Sequence, residues 1–391
     1  MISVAEALAR LFALVTPPEP EEVPLARAAG RVLLRPVTAL RDQPPFAASA
    51  MDGFALRGAD AEPGARLRVV GEAAAGRGFG GALGPAEAVR ILTGAPLPPG
   101  AGAVVMQEDV AREGEWITLG PGARSGHVRA AGADFRAGAM LDAPRRLSPA
   151  ELALAAAFGH PTLTVARRPV VAVVSTGDEL VMPGEDAGPN QVHAANAFGL
   201  HALLAREGAL PRLLPIADDT EAGLRQSFEL ADGCDLVVTI GGASVGDRDL
   251  VAPVARSLGA SLSFHKVAMR PGKPILAGRL PGGPILLGIP GNPVSAMVCG
   301  TVFMLPLLRA MLGLPPEPAP RGTARLAAPL PPNGPREHYL RGRTLADGAV
   351  EAFGRQDSSL ISVLAEADCL VVQPPDDPGR QAGDPVEVVR F

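Results

Sequence analysis

Three stretches of this chain are apolar without interruption or nearly so: residues 170–174 (Val-Val-Ala-Val-Val), 235–240 (Asp-Leu-Val-Val-Thr-Ile) and 284–289 (Pro-Ile-Leu-Leu-Gly-Ile). A strand with apolar side chains on both faces must be covered on both, which is the situation of a parallel sheet layered between helices. The intervening segments fit that arrangement. Residues 196–207, 220–231 and 250–258 have helical patterning. The third run leads into residues 294–311, almost wholly apolar and near membrane-spanning length. Its Asn292-Pro293 helix start, internal Pro306 and Arg309 make it a buried core helix that closes the α/β pattern, and no membrane partner is expected.

The flanks have a different texture. The 391 residues include 46 glycines and 41 prolines, which punctuate short apolar runs and do not pool into linkers. Runs at 66–70, 88–92, 102–106 and 116–119 predict a small β-domain, and runs at 339–343, 349–353, 369–373 and 385–389 predict another after Pro315-Pro316. Ser3 with Glu6 reads as a capping box opening a helix over 4–15, and Ser148-Pro149-Ala150-Glu151 opens a second helix. The fold class expected is α/β plus β: a multidomain chain with a central parallel-sheet domain. A net charge of −5 argues against duplex DNA and anionic membranes, and 4% aromatic residues against single-strand stacking platforms. Cys234, Cys299 and Cys369 lie more than sixty residues apart and form neither a zinc pattern nor a disulfide framework. A cytoplasmic protein is expected.

In an open parallel sheet, ligands bind beyond the carboxyl ends of the strands. Three loops occupy that position: Ser175-Thr176-Gly177-Asp178-Glu179, Gly241-Gly242-Ala243-Ser244-Val245-Gly246-Asp247-Arg248-Asp249, and Pro290-Gly291-Asn292-Pro293. Glycine allows close backbone approach to a phosphate, and the polar residues supply further donors. None of the three is a Walker A loop or a dinucleotide-binding glycine fingerprint. Carboxylates gather in the same region, at Asp178, Glu179, Asp218, Asp219, Asp247 and Asp249. Carboxylates beside a phosphate call for a divalent cation between them, and Mg²⁺ shared by one or two carboxylates and phosphate oxygens is the usual arrangement. Asp218-Asp219-Thr220 could equally cap the helix that follows. Lys266, Arg270 and Lys273, in a chain with few lysines, read as an oxyanion-binding set. No serine or cysteine nucleophile arrangement stands out, and His193 and His201 read as ordinary surface or core histidines.

Taken together, Pro-Pro-Phe-x-x-Ser-Ala-Met-Asp-Gly-Phe-Ala (44–55), Thr-Gly-Ala-Pro-Leu-Pro (93–98), Ser-Thr-Gly-Asp-Glu-Leu (175–180), Gly-Gly-Ala-Ser-Val-Gly-Asp (241–247), Arg-Pro-Gly-Lys-Pro (270–274) and Pro-Gly-Asn-Pro-Val-Ser (290–295) resemble the MoeA family of molybdopterin molybdenumtransferases, which includes the gephyrin E domain. The resemblance runs in order along essentially the whole chain. It implies Mg²⁺-dependent insertion of molybdate into adenylylated molybdopterin with release of AMP. It also implies a homodimer whose active cleft lies between the α/β domain and a β-domain of the other subunit. The domain division expected is a linking domain at 22–40 and 141–168, a β-domain at 41–140, a molybdopterin-binding-like α/β domain at 1–21 and 169–315, and a C-terminal β-domain at 316–391.

Carried over by motif, the resemblance assigns substrate binding to Ser175, Thr176, Gly177, Asp178, Asn196, Gly241, Gly242, Ser244, Gly246, Pro290, Gly291, Asn292 and Pro293, with Asp52, Thr93 and Asp134 from the β-domain. Glu179, Asp218, Asp249, Lys266 and Arg270 are the implied catalytic set, with Asp218 and Asp249 on Mg²⁺. Lys273, Pro274, Arg336, Arg341, Ser358 and Ser359 are the implied molybdate contacts. Three alanines depart from the family pattern, Ala133 where a glutamate is usual and Ala194 and Ala195 where polar residues precede Asn196. They keep open a second reading, a diverged pterin-binding or scaffold protein; a third, a molybdopterin adenylyltransferase, is implied by the α/β fold that the family shares with that enzyme and is disfavoured by the four-domain layout.

Overall fold

The computed structural model describes residues 1–242 and 250–391. Ser244, Gly246 and Asp249 of the expected site lie outside the described residues. Six strands make the central sheet: β1 (Val170–Ser175), β2 (Leu210–Leu213), β3 (Leu236–Ile240), β4 (Ser261–His265), β5 (Leu276–Arg279) and β6 (Ile285–Ile289). Their order is β2-β1-β3-β6-β5-β4. The first four in that order run parallel, while β5 is antiparallel to both β6 and β4. The sheet therefore has a parallel core and an antiparallel edge. The sequence exposes the strands buried on both faces; β2, β4 and β5 carry Pro211, Arg212, Ser261, Ser263 or Arg279, which interrupt the apolar run.

The helices include α1 (Val4–Phe12), α2 (Pro149–Phe158), α3 (Ala195–Glu207), α4 (Glu221–Leu230), α5 (Val251–Ser257), α6 (Pro293–Cys299) and α7 (Leu305–Met311). Alternate residues of the strands feed opposite layers, as pleating requires. Val171, Val173, Leu236 and Val238 pack with Leu8 of α1, Leu200 and Leu204 of α3 and the long apolar helix. Ala172, Val174 and Val237 pack with Leu224 of α4 and Val251 and Val254 of α5. The apolar segment 293–311 is one rod, α6 and α7 joined by a π turn at Gly300–Met304 just before Pro306. Proline's missing N–H and its ring disturb the helical ladder there. Within its apolar window 83% of the residues are buried, as a core helix requires.

Helix α1 ends at Phe12, short of the expected 15, and its capping box is half formed. Ser3 Oγ accepts from the Glu6 N–H at 3.1 Å, but the Glu6 carboxylate turns to Arg10 at 2.6 Å. In α2 the box at Ser148 and Glu151 is complete. Helix α2 packs on a four-stranded sheet of Pro20–Pro24, Thr162–Ala166, Val32–Leu33 and Arg145–Arg146, with Val23, Leu33, Phe158 and Val165 as its core. Residues 53–126 contribute a seven-stranded sheet with two apolar layers.

The C-terminal sheet takes one strand from outside its own stretch of chain. Met269–Arg270, in the connection between β4 and β5, pairs in parallel with Glu337–Thr344, Met269 opposite Glu337 and Arg270 opposite His338. Tyr339, Leu370, Val372 and Val389 of this sheet join the same apolar core as the α/β layer.

A buried carboxylate ties the α2 sheet to the α/β layer. Glu207, at the end of α3, accepts from Arg146 at 2.6 Å and from Arg309 of α7 at 2.9 and 3.1 Å. Removing one member of a buried charge cluster strands the others, although partial exposure of the guanidiniums softens the effect. Glu207→Ala should lower unfolding stability by about 2 kcal/mol, measurable as a fall in denaturation midpoint. An unchanged midpoint would mean that the cluster is decorative.

Candidate active site

The described residues of the three loops predicted from the apolar runs, 175–179, 241–242 and 290–293, meet at one end of the parallel strands. Ser175 and Thr176 are buried at the end of β1, and Thr176 N–H donates to Ile240 O at 3.0 Å. Gly177 has φ +149°, and a Cβ there would lie 2.6 Å from the Glu179 carboxylate. Its N–H donates to Ala217 O at 3.2 Å, which docks the loop carrying Asp218 and Asp219 onto the end of β1. Asp178 accepts from the Asp219 N–H at 3.0 Å. After β3, Gly241 and Gly242 take φ +94° and +60°. A Cβ on Gly241 would stand 2.8 Å from Thr176 O, and one on Gly291 would be 3.5 Å from Gly241 Cα. The left-handed backbone and the short approach to Thr176 O demand glycine at 241, while at 291 a Cβ would be in ordinary contact.

Between the loops lies a cleft of about 680 Å³. Of the expected residues, Ser175, Thr176, Glu179, Asn196, Gly241, Gly242, Pro274, Pro290, Gly291, Asn292, Pro293 and Ser359 line it. Asp219, Val192, His193 and Ile361 line it too. His193 is an exposed, surface histidine as expected, and the short pairing of Val192–His193 with Leu180–Val181 sets it at the edge of the cleft. Asn196 Nδ2 donates to Gly291 O at 2.7 Å, and its buried Oδ1 has no partner. Ala194 occupies the N-cap position of α3 and supplies no side-chain cap, so the departure from the family pattern leaves this helix start without a side-chain acceptor.

The basic side of the site is built by the connection between β4 and β5. Lys266 and Lys273 are the only lysines in the chain. Lys266 takes φ +82°, with its N–H on Ile275 O at 2.9 Å. A left-handed non-glycine residue is held against its own preference by the surrounding ladder. Lys273 and Arg270 are exposed, and Arg336 is half-buried.

Arg341 is fully buried, at 0% exposure. Its Nη2 donates to Asp357 O at 2.8 Å, whereas Nε and Nη1 have no partner. Burial draws its pKa down, with Asp357 opposing. Ser359 donates from Oγ at 2.6 Å and from N–H at 2.8 Å to the Asp357 carboxylate, holding that carboxyl below its ordinary range. Ser358 O accepts from the Val294 N–H at 3.0 Å, fastening this loop to the start of α6.

His338 was not anticipated. It is 8% exposed, and its pKa is depressed to about 4 by burial first and then by Arg270, Arg341 and Arg336. Its position between Arg336 and Arg341 was the one available signal.

Asp52, Thr93 and Asp134 do not line this cleft. Asp52 accepts from Thr93 N–H and Oγ1, both at 2.7 Å, and these bonds lower its pKa. Asp134 is exposed. Among the described residues no three His, Cys, Asp or Glu side chains converge as a metal cage. Exposed Asp218 and Glu179 beside the glycine loops suit a cation shared with substrate phosphate, the mode expected of Mg²⁺.

Comparison with known proteins covers nearly the whole chain. Residues 2–159 match a model described as MoeA N-terminal region (domain I and II), 172–310 a probable molybdopterin binding domain, and 323–391 the MoeA C-terminal region (domain IV). A molybdopterin molybdenumtransferase from Nostoc is 37% identical over 95% of this chain and 88% of its own length. One from Haemophilus influenzae is 32% identical over 100% of this chain and 99% of its own. The crystal structure of a molybdopterin biosynthesis moeA protein from Pyrococcus horikoshii aligns over 100% of both chains, with a TM-score of 0.85 and 26% identity.

The glycine contacts make a direct prediction. Gly241→Ala should cost about 2 kcal/mol through left-handed strain and the clash with Thr176 O. A thermal melt of the variant indistinguishable from that of the parent would refute the close packing of these loops.

Proposed function

The chain belongs to the MoeA family of molybdopterin molybdenumtransferases, enzymes of molybdenum-cofactor biosynthesis, and on that premise we propose that its cleft takes adenylylated molybdopterin, hydrolyses the adenylate to release AMP and inserts molybdate. The observation that carries this reading is Arg341, a buried guanidinium with Nε and Nη1 unpartnered, one short loop away from the cleft residue Ser359. Buried donors without acceptors are costly, by about 1–3 kcal/mol each, so a pocket that keeps them is organised for an anion. Molybdate, a tetrahedral dianion, offers the acceptors that the protein withholds, and Arg270, Arg336 and Lys273 add charge around it.

The glycine loops at 241–242 and 290–293 bring backbone amides to the pterin phosphate and pyrophosphate. Glu179 and Asp219 line the same cleft, with Asp178 and Asp218 beside them in the chain, and phosphates there need a counter-charge. Mg²⁺ held by Asp218 and substrate oxygens would supply that counter-charge and polarise the pyrophosphate. Glu179 and Asp218 orient the attacking water, and Lys266 faces the departing charge. Because Asp52, Thr93 and Asp134 stand apart from the cleft of their own chain, they serve the cleft of a second copy in a homodimer. Three buried free cysteines accord with a reducing, cytoplasmic setting.

The test is reconstitution. Protein with Mg²⁺, molybdate and adenylylated molybdopterin should release AMP and activate a molybdenum-free apoenzyme. Arg341→Gln should cut molybdate-dependent activation about a hundredfold, the effect of losing two hydrogen bonds to a charged ligand, while leaving pterin binding intact. Asp218→Asn should slow AMP release. Tight pterin binding without turnover would point instead to a cofactor-holding protein, and ATP-dependent adenylylation of metal-free molybdopterin to an adenylyltransferase.

A further inference from the structure

The strand Glu337–Thr344 that carries Arg341 is paired on one side with Cys369–Gln373, Arg341 opposite Leu370, and on the other with Val350–Ala352, Gly342 opposite Ala352. Continued by one residue, the second ladder sets Arg341 against Phe353, and a hydrogen-bonded antiparallel pair exchanges two bonds. One of them is direct, Phe353 N–H donating to Arg341 O at 2.9 Å. Between Arg341 N–H and Phe353 O stands the side-chain amide of Gln356. Its Oε1 accepts from Arg341 N–H at 3.0 Å, and its Nε2 donates to Phe353 O at 2.7 Å and to Arg341 O at 2.9 Å. The half-buried Gln356 is thus wedged into the ladder where the chain leaves the sheet.

The departing chain turns back to the guanidinium of the same arginine. Asp357, the residue after Gln356, offers the carbonyl that takes Nη2 at 2.8 Å, while Nε and Nη1 have no partner. The far end of the loop is anchored separately, by Ser359 on the Asp357 carboxylate and by Ser358 O on the Val294 N–H. One residue therefore fixes the backbone of Arg341 and, through the next peptide, the acceptor that aims its side chain. Both Nε2 hydrogens of Gln356 are spent on carbonyls, so its amide has no donor left for an anion. Whatever it does for a ligand passes through Arg341.

We propose that Gln356 is a positioning residue of the oxyanion pocket, holding Arg341 and the loop that wraps it so that Nε and Nη1 are aimed before the anion arrives. The inference rests on the reading of Arg341 as the molybdate contact. Its physical basis is preorganisation. A guanidinium on a long side chain yields to a ligand only what remains after its own ordering, and a partner that orders it beforehand leaves more of the interaction as affinity. Because the loop is tied to the start of α6 independently of Gln356, the cleft side of the site does not depend on this amide.

Gln356→Met keeps the length of the side chain and removes its three hydrogen bonds. In reconstitution with the intact protein, Mg²⁺, adenylylated molybdopterin and sodium molybdate, it should raise the molybdate concentration for half-maximal activation about tenfold, the effect of losing roughly one hydrogen bond to a charged ligand. Saturating molybdate should restore the parental maximal rate, and affinity for adenylylated molybdopterin should not change. A lower maximal rate with unchanged molybdate dependence, or an equal loss of affinity for molybdopterin, makes the amide a support of the fold and overturns this inference. Arg341→Gln separates the two readings. If it too leaves the molybdate dependence unchanged, the pocket is refuted and this inference with it. If Arg341→Gln weakens molybdate and Gln356→Met does not, this inference alone fails. Should Gln356→Met not fold, Gln356→Asn, which keeps the amide but is a methylene too short to bridge the ladder, is measured against the same outcomes.

Discussion

The connection between β4 and β5 is held by two sheets at once, and the basic half of the site depends on that double membership. Its ends continue the antiparallel edge of the central sheet, while Met269–Arg270 pairs with the C-terminal sheet. Ten residues therefore carry Lys266, Arg270 and Lys273 to the join between the two sheets. The constraint shows in the backbone, where Lys266 takes a conformation that its side chain disfavours. It shows again at Gly272, where a Cβ would lie 2.5 Å from Cys299 Sγ in the long apolar helix. A chain free of that second pairing would have no reason to hold either residue so.

Against this basic edge, the described residues of the parallel-strand loops contribute mainly backbone: Asp178 closes on the Asp219 amide, and Asn196 of α3 on Gly291 O. Amides and carboxylates thus come from the central sheet, while most of the fixed positive charge comes from its junction with the C-terminal sheet. One wall suits phosphate and a shared cation, the other a free oxyanion.

The first wall was legible in the sequence and the second only in part. Gly-Gly after an apolar run, or Pro-Gly-Asn-Pro before a helix, is local information: strand, turn and helix start are adjacent in the chain. The antiparallel edge was not legible, because Ser261, Ser263 and Arg279 break the apolar pattern that a strand buried on both faces displays. Arg341 was reached through a resemblance to a family, not through its surroundings. His338 was missed because its meaning arises from the pairing with Arg270, a contact between segments far apart in sequence that no local pattern records. The place of His193 at the cleft edge was hidden for the same reason, since it arises only when 180–181 pairs with 192–193.

The shared apolar layer has a consequence for heredity as well as for stability. Tyr339, Leu370 and Val372 belong to the core that also holds Leu8, Val238 and Phe303. The C-terminal segment is therefore a unit of sequence but not a unit of cooperative unfolding. A recombination event that exchanged it for a relative's would have to exchange matching core residues on both sides of the junction. What looks from the sequence like a detachable module is inherited, and melts, with the domain it rests on.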